Sequence, residues 1–335
     1  MQTQEFDVEI CLERQESSFE RRISYGEVVY HMREIHPIQP YPYTFGKYHE
    51  PIAHVTPGEI VALYTEDCFE GRVVSEQDLP SHVAGKYLNP QTGPIYVDGA
   101  EPGDTLLVHI HDVELTRDWA VSAQIPFFGG LTSTMLTRTL QDPLPEKVWI
   151  YRRQPDGRFA YSDKFSIAPR PFMGTIGTAP DLEALSALTP FAHGGNMDVP
   201  DVKAQNTVHL PVNVPGAYFS TGDCHVAQGE GEACGVALEI SGKVTLSFDL
   251  IKNHPISWPR IESATEIMTV GSARPMEDAA RIAYTELVLW LERELGFNRW
   301  DAYQLVSQAG KLYVGNMVDT YYSLVAKLSK EFLEK

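Results

Sequence analysis

Proline and glycine break the first two thirds of the chain into short runs, and that punctuation limits its fold more than any other feature. Glu59 to Tyr64 follows the turn Thr56-Pro57-Gly58, and Thr105 to Val113 follows Glu101-Pro102-Gly103-Asp104. Each reads as a strand bounded by turn residues, and many such strands in succession predict a β-sandwich or barrel. Between Val236 and Leu250 the apolar residues Val236, Leu238 and Ile240, then Val244, Leu246, Phe248 and Leu250, keep a period of two across Gly242. That stretch predicts a hairpin or a bent strand.

From Ser272 the period changes. Pro275 opens a helix whose core face is Ala279, Ile282, Ala283, Leu287, Trp290 and Leu291, and Gly296 stops it. A second helix starts at Asn298, carries Asp301 in its first turn and stops at Gly310. Strands followed by two consecutive helices predict an α+β class, mainly β, with a smaller C-terminal α/β portion. The irregular stretch from Leu131 to Arg170, with its turn Gln154-Pro155-Asp156-Gly157, is read as a hairpin or an interface excursion. It sets a boundary between a β-rich unit, 1–170, and a unit over 171–335 that carries most of the candidate chemistry.

A chain of 335 residues is long enough to enclose a site that excludes water. Its 45 Asp and Glu against 27 Lys and Arg give a net charge of −18, with no basic run to follow a phosphate backbone, so nucleic acid and anionic membranes are excluded as partners. No stretch approaches the roughly 18 to 20 apolar residues of a spanning helix, and Met1 to Glu5 lacks the start of a secretory signal. Cys11, Cys68, Cys224 and Cys234 include no Cys-x-x-Cys pair, which points away from a disulfide framework or a thiolate zinc site and toward the cytoplasm.

The densest polar cluster runs from Gly222 to Glu232, with Asp223, His225, Gln228, Glu230 and Glu232 set among glycines. On an extended chain Asp223 and His225 share a face, and a carboxylate beside an imidazole suits a borderline-soft divalent ion. The plainer alternative is a polar turn facing water. A second cluster, His193-Gly194-Gly195-Asn196-Met197-Asp198, offers three further nitrogen or oxygen ligands, or simply a capped turn. Asp67 and Glu101 sit at turns, where exposed acids are common. His109 and His111 share a strand face and read as solvated. Cys224 is a possible nucleophile, although its neighbour His225 points to the opposite face of a strand. Acids holding a structural calcium in a non-catalytic sandwich are a further reading. Gly-x-Ser-x-Gly, Gly-x-Gly-x-x-Gly and the phosphate-binding Gly-Lys loop are absent.

The stretches Asn89 to Asp104, His193 to Asp198, Leu210 to Ala217 and Gly222 to Glu232, and more loosely Asp301 to Gly310, resemble the acetamidase/formamidase family over essentially the whole chain. The resemblance implies a largely β fold, hydrolysis of formamide or acetamide to the carboxylate and ammonia, a divalent metal, and a homodimer or larger homo-oligomer. Carried onto this chain, it implies metal ligands among Asp67, His193, Asp198, Asp223 and His225, with Asn196 and Glu232 behind them, for zinc or alternatively calcium. Glu230 is the expected proton carrier, with Gln228 and Glu101 beside it. The chain departs from the family pattern at Glu230, where many members have Asp, and at Cys224, where glycine is common.

Overall fold

The computed structural model describes residues 32–131 and 143–333, with the backbone of two short strands, Ile23–Tyr25 and Val28–Tyr30. Cys11 and residues 132–142 of the irregular stretch lie outside the described residues.

Two large open sheets carry the fold, one of ten strands and one of nine. The ten-stranded sheet has Phe219–His225 near its middle, paired with Phe172–Gly177, Gln91–Val97 and Glu239–Ile240. The nine-stranded sheet is built around Thr105–Leu115, Gly242–Ile251, Ile60–Thr65 and Thr207–Pro211. Pairing is antiparallel except at two short edges, Arg33–Ile35 on Ile60–Thr65 and Ala53–Val55 on Gln91–Val97. One apolar core fills the space between the sheets. Val61, Leu63, Val108, Val244 and Phe248 come from one, and Ile95, Met173, Ile176, Phe219 and Ile240 from the other. Both sheets take strands from each side of residue 170, so the core is continuous across that boundary.

The expected Val236–Leu250 run is a bent strand that changes sheet. Glu239–Ile240 belongs to the ten-stranded sheet and Gly242–Ile251 to the nine-stranded one. At the bend Gly242 passes so close to Cys224 that a Cβ would stand 2.5 Å from its sulfur. The stretch after Leu131 includes an antiparallel meander, Lys147–Arg153, Phe159–Ser162 and Phe165–Ile167. His109 and His111 bond to Thr207 and Ser247 on neighbouring strands, each at 2.9 Å.

The two helices are Met276–Leu295 and Arg299–Ala309. Gly296 ends the first at φ 72°, a left-handed conformation that glycine adopts without steric cost. The Asn298 side chain caps the second by accepting from the Trp300 and Asp301 backbone N–H groups. Along Glu266–Ala273, Met268 and Val270 face the main core while Ile267 packs under the helices, so period two lets one strand serve two apolar layers. No helix among the described residues is long and apolar enough to cross a membrane.

Candidate active site

Every residue of the strand Phe219–His225 is buried, including Asp223 and His225, so their polar atoms must be satisfied inside the protein. Asp223 has φ 61°, and three other polar residues around it are left-handed too: Asn89 at 57°, Asp198 at 48° and Glu232 at 47°. Such conformations cost about 1–3 kcal/mol each and gather where surrounding structure imposes a functional geometry.

Gly174 on the neighbouring strand leaves a hole at the centre. A Cβ there would lie 2.6 Å from Asp198 Oδ1, 2.6 Å from Asp223 Oδ2 and 2.9 Å from His225 Cε1. The ligand atoms of Asp198, His225 and Glu232 all lie within 4.8 Å of one another, and those of Cys68, Asp223 and Glu239 form a second such group. The groups adjoin at His225 Nε2, which is 3.4 Å from Asp223 Oδ2 and 3.3 Å from Glu239 Oε1.

Amide side chains hold the cluster in place. Gln228 Nε2 donates to the carbonyls of Asp198 and Gly315, each at 2.9 Å, which leaves Gln228 Oε1 to face His225 Nδ1 at 3.1 Å. A neutral His225 therefore carries its proton on Nδ1 and keeps the Nε2 lone pair free. Phe172 fixes the ring plane edge-on, with centroids 4.9 Å apart. Asn196 Nδ2 donates to Asp198 and Asp319, both at 2.7 Å. Asn316 Nδ2 repeats the pattern, at 3.1 Å to Asp198 and 3.0 Å to Asp319. Asn89 and Thr175 donate to Asn196 Oδ1 and set its orientation.

Beside the cluster lies a cavity of about 170 Å³. A water occupies about 30 Å³ of liquid, so the space suits a ligand of a few non-hydrogen atoms. Asn89, Asn196, Asp223, Glu232, Glu239 and Asp319 line one part of it, and Phe69, Leu88, Ile125, Phe128, Leu188 and Val236 are among the apolar lining.

Burial dominates the electrostatics. It raises Asp198 and Glu232 well above the usual carboxylate range, with neighbouring acids adding to the effect, and it brings Glu239 and Asp319 to about 7. Burial also acts to raise Asp223, but His225 more than offsets this and leaves it below its ordinary value. Burial disfavours the His225 imidazolium, yet Glu239 and Asp223 together lift it well above the normal histidine range. Five buried carboxyl groups around one imidazole need protons or a cation to offset their charge.

The sequence pattern of the acetamidase/formamidase family matches residues 39–189 and 181–321, which take in every residue of this cluster. The chain belongs to the acetamidase/formamidase family. A crystal structure of acetamidase from Yersinia enterocolitica is 44% identical and covers 91% of this chain and 94% of its own, with a TM-score of 0.87. One from Bacillus halodurans is 31% identical over 89% and 98%, with a TM-score of 0.82. Acetamidase from Mycolicibacterium smegmatis is 26% identical over 261 residues, a match spanning 60% of this chain and 63% of that protein.

In this family member Asp198, Asp223, His225 and Glu232 converge, with Asn196 and Gln228 as their supports. Four other expected site residues stand elsewhere. Asp67 is buried, but its Oδ1 accepts from the Phe69 and Gly71 N–H groups and its Oδ2 pairs with Arg117 at 2.6 Å, so it shapes a loop. His193 packs edge-on to Phe45, and burial lowers its pKa to about 3. It belongs to neither convergent group. Glu101 is exposed in its turn. Glu230 is exposed too, on a separate surface groove with Asp201, Lys203, Tyr313 and Lys327. Cys224 lies in the apolar core, where burial pushes its thiol up to about 12, a poor setting for a nucleophile.

Sequence reasoning missed Gly174, Glu239, Asp319, Asn316, Asn89 and the placement of Cys68 beside Asp223 and Glu239. One signal was present: Gly-Asn-Met occurs twice, as Gly195-Asn196-Met197 and Gly315-Asn316-Met317, and both asparagines serve the same two aspartates. Gly174 has ordinary backbone geometry, so Gly174→Ala tests the hole by itself. The variant is expected to fold, with an unchanged circular dichroism spectrum, and to lose at least about 10²-fold in amide turnover, since misplacement by about 1 Å costs that much.

Proposed function

We propose that the chain hydrolyses a small linear amide, releasing ammonia and a carboxylate, with a divalent cation held by Asp198, His225 and Glu232. The observation that carries this reading is the hole over Gly174, on which Asp198 Oδ1 and the His225 ring converge. Asp198 Oδ1 and His225 Nε2 are both buried without a hydrogen-bond partner, as atoms reserved for a metal would be. An imidazole together with two carboxylates favours a zinc-like ion over calcium, which takes oxygen ligands.

A cation bound there supplies Lewis-acid polarisation of the amide oxygen and a water acidified toward neutrality. The remaining work falls to the chain. The apolar lining seats the acyl substituent and keeps bulk water away, and its small volume favours a short substituent. Asp319 lines the cavity yet belongs to neither ligand group, so it takes the proton of the attacking water and delivers it to the departing nitrogen. Asn196 and Asn316 hold its Oδ2 and thereby aim the carboxyl group.

Metal analysis paired with ammonia release from formamide, acetamide and longer amides tests this. Stripping the metal with a chelator is expected to reduce turnover about 10³-fold, and zinc to restore it, as several kcal/mol of charge stabilisation are removed and returned. Full activity in metal-free protein would overturn the cation, and silence across the amide panel would overturn the hydrolysis.

A further inference from the structure

We propose that Cys68, Asp223 and Glu239 form a second cation site, with a thiolate ligand, beside the one assigned above, and that a zinc-like divalent ion fills it. The inference rests on the proposed function for its setting, but its geometry is separate. The three ligand atoms lie within 4.8 Å of one another and all three residues are buried. Glu239 Oε1 accepts from the Ala237 N–H at 2.9 Å, while Oε2 is buried with no hydrogen-bond partner.

An independent observation comes from His225. Its Nε2 is buried without a hydrogen-bond partner and lies 3.4 and 3.3 Å from oxygens of Asp223 and Glu239, so the second group stands against an unfilled polar contact. Arg117 is paired with Asp67.

The chemistry of the donors sets the preference. A thiolate with two carboxylates selects a borderline ion such as zinc and disfavours calcium and magnesium. Binding displaces the thiol proton, which leaves to solvent as the Cys68–metal bond forms. Asp67 seats the loop for this role, because its Oδ1 accepts from the Phe69 and Gly71 N–H groups on either side of the turn after Cys68.

Cobalt(II) loading of the metal-stripped full chain tests the site through absorption and metal content. Two ions per chain and an intense near-ultraviolet thiolate-to-cobalt band are expected. Cys68→Ser, which preserves side-chain volume, should lose the band and about one equivalent of cobalt; Cys68→Ala serves as the second variant. Asp198→Asn removes a ligand of the first group alone and should keep the band. A band that persists in Asp198→Asn after loss of one ion supports the second site even if the first is misassigned. One ion per chain with no thiolate band, unchanged in Cys68→Ser, would overturn the second site and leave the first intact. No bound cobalt would overturn both.

Discussion

His225→Gln is expected to lower kcat/KM for a small amide by about 10³-fold or more, because several kcal/mol of charge stabilisation converge on Nε2 and each 1.36 kcal/mol is a factor of ten. Bound metal should fall with it. Gln228→Met offers a graded comparison. It leaves the imidazole in place but removes the acceptor that fixes the Nδ1 proton, and loss of such a support costs about 10–100-fold. If both variants retain full activity and metal content, the ring is not at the reacting centre.

Asp319→Asn is expected to reduce kcat by about 10²–10⁴-fold, the range for removing a general acid–base group, with KM and bound metal close to those of the parent. The substitution is isosteric, and Asn196 and Asn316 remain to hold the new amide through its oxygen. A fall in metal content without a kcat effect would instead make Asp319 a ligand. The matching control is Glu230→Gln, expected to change kcat by less than about twofold, since an exposed carboxyl outside the cavity touches no reacting atom.

Much of the fold was legible because local rules governed it. Pro275 and Gly296 bracket one helix, and Asn298 and Gly310 the next, with Gly296 in the left-handed conformation and the Asn298 side chain as the cap. Asp223 and His225 were expected on one face, and their side chains do meet at 3.4 Å. Strand periodicity also carried the Val236–Leu250 run.

Alternation does not extend to Glu230 and Glu232, which the family resemblance implied at the site. Gly231 at φ 84° and Glu232 at φ 47° break the extended chain, so Glu232 turns inward while Glu230 faces solvent. Asp67 stands apart from the cluster for a different reason. Its partner Arg117 lies far along the chain, and only folding reveals that this charge is already offset.

The sequence alone therefore determined the elements, their stops and the polar strand at the centre, since period, proline and glycine act within a few residues. It also held the family pattern and a repeated Gly-Asn-Met. Tertiary structure decided which acids share the site. The bend at Gly242 carries the chain from one sheet to the other just after Glu239, Asn316 brings Asp319 to Asp198, and Gly174 leaves the opening between strands. Those contacts join residues remote in sequence, and their energetics depend on burial, which no local pattern encodes.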